Sequence, residues 1–154
     1  MRKALRTTLG ELLDCAPEAV PLDIEPGRAP RLRLSTAPIH LSISHEAGLS
    51  LAAIRIGGRI GIDLMAPSDV ALPDWEALAR DYLAPPMAAT LNKLPAPQRQ
   101  AAFARAWTFH EACLKCLELP LQEWTPALAS RLARCRTVEL ALPARYIGAA
   151  ALLD

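Results

Sequence analysis

Apolar positions along the chain change period several times, and each change predicts an element. Leu5, Leu9, Leu12 and Leu13 recur at helical spacing, so residues 3–13 are expected to form a helix with one buried stripe, stopped by Pro17. A short extended piece, Val20 to Ile24, leads into a loop from Pro26 to Pro38 that carries Arg28, Arg31 and Arg33. Ile39, Leu41 and Ile43 then alternate with His40, Ser42 and Ser44, the period of a half-buried strand. Two more apolar runs, Leu49 to Ile56 and Arg59 to Met65, flank Gly57-Gly58, a pair that predicts a hairpin because primed turns need positive φ at both central residues. In the second of these runs Ile60, Ile62 and Leu64 share one face and Gly61, Asp63 and Met65 the other, so Met65 is expected beside Asp63. Helical periodicity returns over Asp74–Leu83, Pro86–Leu94 and Gln98–Leu117, the last with Pro97 at a natural helix start. Extended runs at Thr137–Leu142 and Tyr146–Leu152 close the chain. The predicted class is α+β, an antiparallel sheet with packed helices.

Composition narrows the function. A chain of 154 residues, 52% apolar, is long enough to bury a core as one domain without disulfides or a structural metal. Lys plus Arg number 17 against 16 Asp plus Glu, which argues against a nucleic-acid binder working by phosphate neutralisation and makes any anion site local. The basic start Met1-Arg2-Lys3 is followed by an amphipathic pattern rather than a signal-type apolar run, and Tyr146 to Leu153 is too short to span a bilayer. No membrane association and a cytoplasmic location are therefore expected, with Cys15, Cys113, Cys116 and Cys135 as reduced thiols.

Candidate chemistry gathers on the long helix. Trp107, Glu111 and Lys115 stand at i, i+4 and i+8, along one stripe. Taken alone, Glu111 and Lys115 read first as a surface ion pair, worth ~0.2–1 kcal/mol, and otherwise as a carboxylate for a hard divalent cation beside an ammonium for the phosphates it bridges. His110, Cys113 and Cys116 have the look of a zinc motif, but i, i+3, i+6 drifts round a helix and no fourth ligand is evident, which favours core thiols. Gly57, Gly58 and Gly61 do not make a dinucleotide fingerprint, since no helix follows them directly.

Two segments shift this balance. Gly61-Ile62-Asp63-Leu64, followed by Trp107-Thr108-Phe109-His110-Glu111-Ala112-Cys113-Leu114-Lys115, resembles the signature motifs of the 4′-phosphopantetheinyl transferase superfamily, G-[IV]-D-[ILV] and [FW]-[STC]-x-K-E-[AS]-x-x-K. Ser42-Ile43-Ser44-His45 is similar to its N-[IL]-S-H segment, and Gly27-Arg28-Ala29-Pro30-Arg31-Leu32 to its G-K-P-x-L loop. The motifs come in family order from about Ala4 onward, in a layout resembling the larger surfactin-synthetase-activating type, a pseudodimer of two α+β halves. On that resemblance the chain is one transferase-like domain, with a first half at about 1–58 and a second at about 59–154.

The resemblance implies transfer of the phosphopantetheine arm of coenzyme A to a serine of an apo acyl or peptidyl carrier protein, with Mg²⁺ as cofactor and 3′,5′-ADP as leaving product. Asp63 and Glu111 would be metal ligands and catalytic, Glu111 also taking the serine proton; Lys115 would be catalytic and hold the pyrophosphate. Arg28, Arg31, Ser44 and His45 would contact the nucleotide end of coenzyme A. Every group then comes from one chain, so a monomer or weak dimer is expected. The sequence departs from the family at Met65, where the larger type has a second acid, and at His110, where it has lysine. These departures also suit a non-catalytic relative that binds coenzyme A or a carrier protein.

Overall fold

The computed structural model describes residues 2–24, 30–33, 39–67 and 74–154. Helix α1 (Arg2–Leu13) turns Leu5 and Leu9 onto Val20, Leu22 and Leu41, with Ile39, Ile43 and Ile54 packed around them. Burying one such leucine is worth ~1.5–3 kcal/mol. The Arg6 guanidinium donates to the Val20 and Leu22 carbonyls at 2.7 and 3.2 Å, binding the helix to the segment that follows. That segment forms β1 (Leu22–Asp23), paired antiparallel with β2 (Arg31–Leu32).

Strands β3 (Ile39–Glu46) and β4 (Leu49–Ile56) form an antiparallel hairpin across Ala47 and Gly48, with Gly48 at φ 82°. The hairpin expected at Gly57-Gly58 does not form. Gly57 takes a positive φ of 75° but Gly58 does not, so no type I′ turn is made, and the chain leaves this sheet. The next strand, β5 (Arg59–Met65), enters a second sheet with β6 (Arg136–Glu139) and β7 (Ile147–Leu153), in the order β5-β7-β6, antiparallel throughout.

Helices α2 (Trp75–Tyr82), α3 (Pro85–Lys93) and α4 (Ala96–Cys116) share an apolar cluster of Ala79, Leu83, Leu91 and Phe103. Trp107 stacks on Phe103 at 5.7 Å and meets Tyr82 edge-on at 5.9 Å, within the favourable range for aromatic pairs. The C-terminal part of α4 lies across β5 and β7, where Ala112, Cys113 and Cys116 pack with Ala149 and Ala151. Burial pushes the Cys113 and Cys116 thiols up to about 12, with the neighbouring Cys135 thiol adding to the shift, so they are core groups held protonated. Among the described residues no helix is long and apolar enough to cross a membrane.

A further helix, α5 (Pro126–Leu132), was not expected from the sequence. It is only seven residues long and buries only Leu128, too little for periodicity to show. Its start is written locally instead: Thr125 Oγ1 accepts the Leu128 N–H at 3.1 Å and Pro126 occupies the first turn.

The two main sheets are tied at the entrance to β7. Tyr146 Oη donates to the Ala47 carbonyl at 2.7 Å and accepts from Arg145, whose guanidinium lies over the Tyr146 ring. Tyr146→Phe keeps the packing and removes this tether, so it is expected to lower stability by about 1 kcal/mol. Urea unfolding checks this, and an unchanged midpoint would mean that the hydroxyl bonds equally well to water.

Candidate active site

A strand and a helix bring the acidic and basic groups together. Gly61, Asp63 and Met65 share the face of β5 that meets α4, as the alternation predicted. Gly61 sets how close the helix comes, since a Cβ there would lie 2.1 Å from the Ala112 carbonyl oxygen and 2.3 Å from the Cys116 nitrogen. With the helix backbone so near, Lys115 Nζ donates to Asp63 Oδ1 at 2.6 Å. The carboxylate is only 8% exposed, and Ser44 Oγ of β3 donates to the same oxygen at 2.9 Å. Among the described residues no protein donor meets Oδ2.

Glu111, one helical turn before Lys115, is half-buried. Burial raises its carboxyl above the ordinary range, the Asp63 charge raises it further, and Lys115 offsets part of both. Asp63 is thus paired with the Lys115 ammonium, and Glu111 stands one helical turn away, near enough for the Asp63 charge to act on its carboxyl. Among the described residues no set of three acidic, histidine or cysteine side chains converges as a metal cage. A pair of hard oxygen donors nevertheless suits Mg²⁺, which usually takes one or two carboxylates and completes its shell with water and substrate phosphate.

The cations lie nearby but are not all directed here. Arg31 and Lys115 border a cavity of about 160 Å³ together with His40, Leu32, Ile60 and Glu118. Arg31 is exposed and 3.8 Å from Glu118. His45 is exposed at the end of β3, and strand alternation puts it on the face opposite Ser44, with Leu41 and Ile43. Arg28 lies outside the described residues. His40 went unnoticed in the sequence as a site residue, although its signal was present: it shares the polar face of β3 with Ser42 and Ser44.

A sequence model of the 4′-phosphopantetheinyl transferase superfamily matches residues 59–143, more than half of the chain. The chain belongs to that superfamily. Among named relatives, it is 36% identical over 118 residues to 4′-phosphopantetheinyl transferase HetI of Nostoc sp., an overlap covering 74% of this chain and 48% of the relative. It is 33% identical over 119 residues to the Synechocystis sp. protein slr0495, which carries the same transferase name, with 75% and 46% covered. The chain therefore spans about half the length of the relatives it matches.

The two departures from the superfamily motifs have structural counterparts. His110 turns inward: it is 8% exposed, its ring lies 6.2 Å from that of Trp107, and its buried Nε2 has no hydrogen-bond partner. Burial holds its imidazole below the ordinary histidine value, so it is neutral at pH 7 and brings no charge to the position of the motif lysine. Met65 shares the face of Asp63, and its side chain packs on the apolar cluster of Ala79, Leu83, Leu91 and Phe103.

Proposed function

We propose that this chain moves the 4′-phosphopantetheine arm from coenzyme A to a serine of an apo acyl or peptidyl carrier protein, with Mg²⁺ as cofactor. The observation that carries the reading is the pairing of Lys115 with Asp63 at the contact of β5 with α4, with Glu111 one turn before Lys115 on the same helix flank. Asp63 and Glu111 would hold the cation, which when bound supplies positive charge for the pyrophosphate oxygens. Lys115 releases Asp63 to take up charge developing on the leaving side. Glu111, with a carboxyl raised by burial, is suited to accept the serine proton as the serine oxygen bonds to the β-phosphorus and the bond to the 3′,5′-ADP oxygen breaks. We read the chain as one domain of two halves, about 1–58 and about 59–154, acting in the cytoplasm as a monomer or weak dimer.

Incubation with a fluorescent coenzyme A and a panel of apo carrier proteins, with and without Mg²⁺, tests this directly. Labelling of a carrier only with metal is expected; no labelling of any carrier would point to the second reading, a relative that binds coenzyme A or a carrier without transfer. The neutral, buried His110 and the apolar setting of Met65 are what favour that alternative.

The nucleotide end of coenzyme A is assigned to Arg28, Arg31 and His45, with His40 added because it borders the same cavity as Arg31 and Lys115. If these residues meet the 3′-phosphate, dephospho-coenzyme A should be used at least about tenfold less well, since charge-assisted hydrogen bonds contribute ~1.5–3 kcal/mol each. The gap should narrow in an Arg31→Ala, His40→Ala double variant. Equal use of both donors by the wild type would remove these residues from the site.

A further inference from the structure

Strand β5 has one edge paired with β7 and, among the described residues, no backbone partner on the other, yet Gly61 to Leu64 are buried. Buried N–H groups must be satisfied, and an open strand edge is otherwise a site for stray pairing. Two serines of β3 meet that need. The Ile62 N–H donates to Ser42 Oγ at 3.0 Å and the Leu64 N–H donates to Ser44 Oγ at 3.2 Å. Both serines are buried, and the two-residue step on β3 matches the two-residue step on β5. Two side-chain rungs thus replace a backbone ladder between the sheets.

Ser44 does more than Ser42. A hydroxyl has one proton and two lone pairs. With one lone pair taken by the Leu64 N–H, the Ser44 proton goes to Asp63 Oδ1 at 2.9 Å, the oxygen that Lys115 approaches from α4. We infer that Ser44 is a positioning residue, which reads the β5 backbone and fixes the Asp63 carboxylate with Oδ2 turned free for a ligand, while Ser42 sets the register of β3 on β5. The inference rests on Asp63 being a site carboxylate, and it turns Ser44 inward, away from a direct contact with the nucleotide.

Amide hydrogen exchange on the full chain, read by NMR, tests the rungs without any turnover. Ser44→Ala should speed exchange at Leu64, and Ser42→Ala at Ile62, each by about tenfold or more, as expected for loss of a buried hydrogen bond. The ¹³Cγ resonance of Asp63 should move in Ser44→Ala and stay in Ser42→Ala. Ser44→Thr, which keeps the hydroxyl, should preserve both signals and serves if the alanine variant fails to fold. Kinetics supply a second readout: Ser44→Ala should lower kcat and raise the Mg²⁺ needed for half-maximal rate, while leaving the preference for coenzyme A over dephospho-coenzyme A intact. Unchanged Leu64 exchange and an unmoved Asp63 signal would overturn the inference. So would a raised KM for coenzyme A with lost donor preference and an unaltered metal requirement, the pattern of a direct nucleotide contact. An inactive wild type would sink the transfer reading alone, since exchange and the Asp63 resonance still decide the role of Ser44.

Discussion

Asp63→Asn and Glu111→Gln are each expected to lower carrier-protein modification by about 10²–10³-fold or more, the scale of removing one group preorganised for transition-state charge. Each change takes a charge and almost no volume, so the fold should persist, and EDTA should reproduce both losses. The two variants should differ in stability. The Glu111 carboxyl is raised by burial and by Asp63, so the folded state holds its proton more tightly than the unfolded chain does. Its contribution to stability is therefore full below the ordinary carboxylate value and is lost as pH rises through the folded value, leaving the ionised form penalised at pH 7. Glu111→Gln removes that penalty, and the metal-free variant should melt higher than wild type at pH 7, with the gap closing near pH 4. Asp63→Asn instead unpairs Lys115 and should melt lower. Thermal melts at the two pH values check the signs; a Glu111→Gln variant less stable at pH 7 would mean that the carboxylate is well paired.

Among the described glycines, Gly61→Ala should be the most damaging substitution. Its Cβ would be driven into backbone atoms of α4, which cannot swing aside as the end of a side chain can. Overpacking of this kind costs ~1–3 kcal/mol and more when backbone must move. The same displacement would pull Lys115 and Glu111 from Asp63, and misplacement by about 1 Å can cost ~10²-fold in rate. Urea denaturation and transfer assays should fall together. A Gly61→Ala protein with wild-type stability would refute the close packing of α4 on β5.

Much of this arrangement was legible because it is local. The alternation Ile60, Ile62, Leu64 against Gly61, Asp63, Met65 fixed the face on which Asp63 lies, and the spacing of Glu111 and Lys115 placed both on one helix flank. The expected long helix, Gln98–Leu117, overlaps nearly all of α4. What stayed hidden depends on distant partners. Alternation says which face a strand buries but not which strand it pairs with, so β5 was joined to β4 when its neighbour is β7, contributed from the far end of the sequence. The hydroxyls of Ser42 and Ser44 look like ordinary polar positions until β5 is placed beside them. His110 stands at i, i+3 and i+4 with Cys113 and Leu114, so its inward turn follows the spacing, but only the packing of α4 shows that its Nε2 finds no partner there.

Group transfer is read from the intact mass of an apo carrier protein after incubation with coenzyme A, Mg²⁺ and this chain. A mass gain of one phosphopantetheine on the carrier is expected, matched by release of 3′,5′-ADP and absent with Glu111→Gln. A carrier that keeps its apo mass across a panel of acyl and peptidyl carriers, with coenzyme A bound but intact, would contradict it.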